Sequence, residues 1–298
     1  MEVVADFTAD LAALWREELV RAGHPVPEGA DPVAVGKMLF NLLHNNVESR
    51  PRRVHRSAEL AAHRLTEGRS QALARFILAC ECGKDLGPFQ SHRARDPHHN
   101  DGLLNDWGIR HFHLGAKKTK KGSRSQELLF ARVDPDDVYL LEVLDHQDNE
   151  SFNNIVLMEI LRRNWPDLIE PYALMGFSAA NEPVTSKSRR LLRESGIEPL
   201  LQLDGKLYIP LGGGIMGSGV SGRVMEEVLG RLHEARSHQH KALEMVDQVA
   251  RQFEAETGRM PATIYVWLVP DEGGWKYGFS DEPMPTGTPT DDHLACPV

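Results

Sequence analysis

The 298-residue chain holds only three cysteines, Cys80, Cys82 and Cys296, too few and too unevenly placed for a disulfide framework. A reducing compartment is therefore expected, and Cys80-x-Cys82, lacking a second pair, reads as thiols at a helix end rather than a metal clip. No apolar run reaches the roughly 18 residues of a spanning helix, so no membrane association is expected. The opening MEVVADFTADLAALW has early acids and no basic segment, unlike a signal peptide. The expected location is cytoplasmic. G-x-S-x-G, H-E-x-x-H and a P-loop ending in Gly-Lys-Ser/Thr are all missing, which removes the usual anchors for serine hydrolase, zinc protease and P-loop chemistry.

The chain also lacks overall positive charge, with a net charge of −9. The deficit is uneven. Residues 50–124 carry sixteen Lys/Arg against seven Asp/Glu, a surplus of nine inside an otherwise acidic protein. Generic polyanion stickiness is disfavoured by the total, whereas a local phosphate-facing patch remains open beside a plain solvated surface.

Hydrophobic spacing predicts an α+β chain in two parts. Residues 4–22 and a stretch starting at the Asp31-Pro32 cap read as helices, as do residues 57–82, giving an N-terminal helical unit. The period then changes. Residues 107–114, 127–133 and 138–145 read as three strands of an antiparallel meander, followed by an amphipathic helix over 151–164. A boundary is expected near 180, dividing residues 1–180 from a smaller C-terminal α+β module, 181–298. In that module a basic helix (186–195) precedes a hairpin turning on Asp204-Gly205. The glycine-rich LGGGIMGSGVSG (211–222) leads into a long helix over 221–257, two more strands and a frayed tail. Strand, glycine-rich loop and helix can cradle phosphate, but this loop lacks the lysine of a P-loop. The long helix is also a surface for a protein partner or self-association.

Candidate chemistry centres on NDWGIRHFHLG, residues 105–115. Alternation along a strand puts Ile109, His111 and His113 on one face and Arg110, Phe112 and Leu114 on the other. The two imidazoles are then about 7 Å apart, two strand steps. In a meander the first and third strands run parallel, so His146 and Asp145 are expected at the same sheet end as His113. Lys117, Lys118, Lys120 and Lys121 hang between the first two strands at that end. Two histidines can share acid–base work on a phosphodiester while Lys117, Lys118, Lys120, Lys121 and Arg110 bind phosphate and Arg132 stabilises the charged phosphorane. Without a metal cofactor, that is the chemistry of RNA cleavage. The alternative is zinc or another divalent metal held by His111, His113, His146 and Asp145 in a hydrolase. A second alternative is a non-catalytic module that binds nucleic acid or protein. His98, His99 and Asp101 add polar density just upstream.

A small antiparallel sheet with a packed helix, bearing His, Lys and Arg, resembles the barnase/RelE/colicin-type ribonuclease toxins over residues 100–165. The resemblance lies in architecture and residue types, with no shared motif, so no residue roles carry over. It implies a hydrolase of toxin or defence type with RNA as substrate.

Overall fold

The computed structural model describes residues 1–114, 127–145, 155–177, 184–195, 197, 200–217, 219–271, 274–283 and 295–296. The chain begins β1 (Glu2–Ala5), α1 (Phe7–Arg21), α2 (Pro32–Asn45), β2 (Arg53–Arg56), α3 (Ala58–Ala62), α4 (Glu67–Glu81) and α5 (Gly102–Trp107). Then come β3 (Ile109–His113), β4 (Glu127–Val133), β5 (Asp137–Asp145), α6 (Val156–Asn164), α7 (Ser186–Glu194), β6 (Leu201–Leu203) and β7 (Lys206–Tyr208). It ends with α8 (Gly222–Thr257), β8 (Thr263–Asp271), β9 (Gly274–Ser280) and β10 (Ala295–Cys296). The fold is α+β, as the hydrophobic pattern predicts. Among the described residues no helix is long and apolar enough to cross a membrane.

Contacts gather into two units, Met1–Leu39 with Glu226–Val298, and Phe40–Met225. This differs from a division near residue 180. The physical reason is a long-range pairing: β1 lies parallel to β8, Glu2 opposite Thr263, which ties the first residues to the last strands. Val4 and Ala5, expected in a helix, are strand residues in that ladder.

In the first unit the sheet order is β1-β8-β9-β10. Helix α1 starts at Asp6, whose carboxylate accepts from Ala9 N, and buries Phe7, Leu11, Trp15 and Leu19 along one stripe. Asp10 accepts a 3.0 Å bond from Leu268 N, and burial pushes its carboxyl up to about 6. At His238 the imidazole Nδ1 bonds the Tyr277 hydroxyl at 2.8 Å.

The second unit is built on the sheet β2-β5-β4-β3. The expected meander is present, with His113 opposite Leu128 and Leu128 opposite Leu144. Strand β2 lies parallel to β5 and was unexpected, since RVHR offers no apolar alternation. The helix expected over 57–82 is two, because His63 leaves helical geometry at the end of α3. Both faces of the sheet are covered. Phe112, Leu114, Leu129, Ala131 and Leu140 pack with Leu73, Phe76 and Ile77 of α4. On the histidine face, Ile109, Leu128, Phe130 and Leu141 pack with Leu157, Ile160 and Leu161 of α6, and with Leu203 and Tyr208. The β6–β7 hairpin turns as its sequence predicts, with φ +45° at Asp204 and +76° at Gly205.

Candidate functional site

Six residues form α5 because both ends are closed. The Asp101 Oδ1 atom accepts from Leu103 N at 3.1 Å and Leu104 N at 3.2 Å, and Gly108 ends the helix at φ +69°. Leu103, Leu104 and Trp107 are buried beneath it. Asp101 and Asn105 are one turn apart and so share a helix face. Each faces one imidazole. Asp101 Oδ2 lies 3.6 Å from His111 Nδ1, and Asn105 Oδ1 lies 3.1 Å from His44 Nε2.

The two rings meet different fields. At His44 burial dominates, and the nearby Arg110 and Arg223 guanidiniums add to it, so the imidazole is pushed down to about 4. With Asn105 Oδ1 as acceptor, the neutral ring carries its proton on Nε2, and Nδ1 makes no hydrogen bond among the described residues. Beside His111 stands a carboxylate, which complements an imidazolium. The His113 ring centroid is 5.9 Å from that of His111. Opposite them on β4 are Leu128 and Phe130, so the pair sits at the edge of the second core.

Helix α2 forms the back of the site. Its Asn41 and Asn45 amides donate to the carbonyl of His99 at 2.9 and 2.7 Å, and Asn41 also donates to Pro97, pinning the 96–100 loop. Asn41 Oδ1, Asn45 Oδ1 and Asn105 Nδ2 are buried with no hydrogen-bond partner among the described residues, the places where ordered water is expected. The Arg110 guanidinium bonds the last carbonyls of α2, His44 O at 2.6 Å and Asn45 O at 2.8 Å. A cation there opposes the helix dipole.

The glycine-rich loop packs on α5. Gly212 N bonds Asp106 O, Gly214 N bonds Asn105 O and Gly222 N bonds Gly214 O. With these N–H groups engaged, the loop braces α5 and does not cradle phosphate with them. A side chain at Gly212 would collide with the carbonyls of Leu104 and Asn105. From the loop's far end Arg223 reaches back to Leu211 O at 2.6 Å and the Tyr172 hydroxyl at 3.3 Å.

His111 and His113 share a face, as alternation requires. Arg132 does not join them. It lies opposite Ile109, four residues along the strand from His113 or about 13 Å, with its Nε on Asp134 at 3.0 and 3.1 Å. Arg110 is engaged with α2 rather than turned to a substrate. Register places Asp145 one residue past Leu144, at the His113 end of the sheet, but only its backbone is described. His146, Lys117, Lys118, Lys120 and Lys121 lie outside the described residues. Among the described residues no three His, Cys, Asp or Glu side chains gather as a metal-ligating group. Cys80 is buried, its thiol pushed up to about 12 by burial, and Cys82 is exposed.

No protein-family model matches the chain, and neither does any curated protein or solved structure. What was missed in the sequence is His44 and Asn105. The signal was present in FNLLHNN, where Asn41, His44 and Asn45 fall at i, i+3 and i+4 in an otherwise apolar helix.

Proposed function

We propose that the protein is a metal-independent, histidine-dependent ribonuclease working through His111 and His113. The observation that carries this reading is the His111–Asp101 pair with a second imidazole on the same strand face. With the Asp101 carboxylate 3.6 Å from Nδ1 of His111, the reading puts the ring proton on Nδ1 and leaves Nε2 to take the proton of a ribose 2′-hydroxyl. The 2′-oxygen attacks phosphorus, and the 5′-oxygen leaves with a proton from His113. The products are a 2′,3′-cyclic phosphate and a free 5′-hydroxyl. Arg223 supplies fixed positive charge on the α2 side of the site. His44, neutral across the working pH range, holds Asn105 and α5 in place rather than exchanging protons.

The test is incubation of the full chain with 5′-labelled single-stranded RNA in excess chelator. The expected products end in 2′,3′-cyclic phosphate, and His111→Ala or His113→Ala lowers the rate by about 10²–10⁴. RNA left intact overturns the reading; cleavage abolished by chelator and restored by zinc favours the metal-dependent alternative.

A further inference from the structure

The opposite edge of the same sheet carries a second built cluster, on β2, β5 and the end of α6. Asp137 is its anchor. Its Oδ1 accepts from His55 Nε2 at 2.7 Å and Arg53 Nε at 2.9 Å, and its Oδ2 accepts from Arg53 Nη2 at 2.8 Å. Those donors hold the Asp137 carboxyl below its ordinary range. Fixed in this way, the His55 ring stacks on Tyr139 at 4.8 Å and 15°. Tyr139 in turn meets Trp165 edge-on at 5.1 Å. Trp165 is itself set by its neighbours: its backbone N–H bonds Leu161 O, and Asn164 beside it accepts from Ala58 N and donates to Glu59.

Three partly buried rings in series, with Trp165 also packed against the second core, are more than an edge strand needs. Charged side chains alone protect an edge from strand pairing, and Arg53 and Arg56 already supply them. Around the rings lie cations not fully neutralised. Among the described residues, Arg56 is exposed and makes no ion pair, Arg53 is 75% exposed despite its bond to Asp137, and Arg132 Nη1 is buried without a hydrogen-bond partner. Arg132 lies opposite Tyr139 in the ladder, so its guanidinium belongs to the same face. Flat π-faces flanked by arginines match unpaired bases on a phosphate backbone. A duplex hides its base faces, and an acidic peptide offers charge without flat rings.

We infer that His55, Tyr139 and Trp165 form a stacking platform for the bases of single-stranded RNA, with Arg53 and Arg56 beside the backbone. The choice of RNA over another single strand rests on the ribonuclease reading. The platform is separate from the histidine site and deepens that reading by naming how substrate is held.

The experiment uses the full chain with His111→Ala and His113→Ala, which separates binding from cleavage. Fluorescence anisotropy compares a labelled oligouridylate 12-mer, an abasic 12-mer with the same phosphates, and duplex RNA. The expected order is single strand tightest. Tyr139→Leu or Trp165→Leu weakens the single strand about five-fold or more, while Trp165→Phe retains it. Thermal unfolding by circular dichroism checks each fold; should a leucine variant unfold, the Trp165→Phe and abasic comparisons still decide. Equal binding of the abasic strand, unchanged binding by folded leucine variants, or no binding at all overturns the platform. Failure of the cleavage assay with intact base-dependent binding overturns the enzyme and leaves the platform standing.

Discussion

His44 and His111 hang from the same face of α5, one helical turn apart, yet they are different chemical groups. One is held by an amide and the other faces a carboxylate. Burial and two arginines keep His44 neutral well below physiological pH, whereas Asp101 gives His111 a counter-charge for an added proton. The lesson is that the ring's role is set by what α5 presents to it. A neutral imidazole with a fixed tautomer is a good strut; one beside a carboxylate is a good proton acceptor.

Exchanging the neighbours separates the two rings most strongly. Asp101→Asn keeps the helix cap, because Asn caps about as well as Asp, but removes the charge facing His111. RNA cleavage is expected to fall about 10²-fold or more, with the melting temperature nearly unchanged. Unchanged cleavage alongside an unchanged melting temperature would show that Asp101 acts only as a cap.

Next in size is the brace beneath both rings. Gly212→Ala is expected to cost about 3 kcal/mol or more in denaturant unfolding, since the new Cβ meets two backbone carbonyls that cannot move independently of α5. Gly217→Ala, in the same loop with open space around it, is the control and is expected to be near neutral.

A pH titration of stability sharpens the His44 half. Its folded value of about 4 lies below the ordinary 6.5, so the unfolded chain binds the extra proton first as pH falls. Stability is therefore unaffected above 6.5, falls between 6.5 and 4, and levels off below. The loss is about 2–3 kcal/mol once partial exposure is allowed for. Asp10, raised to about 6, works in the opposite direction over much of that window, since the folded state holds its proton longer. The difference between wild type and His44→Gln cancels the Asp10 contribution, and that difference is what should carry the slope. Parallel curves for the two proteins would remove the neutral-strut account.

The smallest expected effect is at the far edge. Arg53→Ala removes an exposed partner of Asp137 and is expected to leave the melting temperature nearly unchanged, because surface ion pairs contribute little.

Much of this architecture is legible in local sequence. The alternation of Arg110, Phe112 and Leu114 against Ile109, His111 and His113 is borne out residue by residue in the β3–β4 register. So are the Pro32 helix start and the Asp204-Gly205 turn, since caps and turns depend on a few adjacent residues. What depends on distant partners is not legible. β1 becomes a strand only through β8, some 260 positions away, and β2 only through β5. His44 and Asn105, 61 positions apart, look unrelated until α2 and α5 are brought together. The second core on the histidine face is hidden for the same reason: Tyr208 and Leu203 come from a hairpin ninety residues further on.

In the proposed mechanism His111, facing Asp101, is the base and His113 the acid of RNA cleavage. The pH dependence of kcat/KM on single-stranded RNA in chelator tests it most directly. A bell-shaped profile for the wild-type chain, losing its acidic limb in His111→Ala and its basic limb in His113→Ala, is the predicted result. RNA uncut across the whole range, or either variant cutting with the wild-type profile, would contradict it.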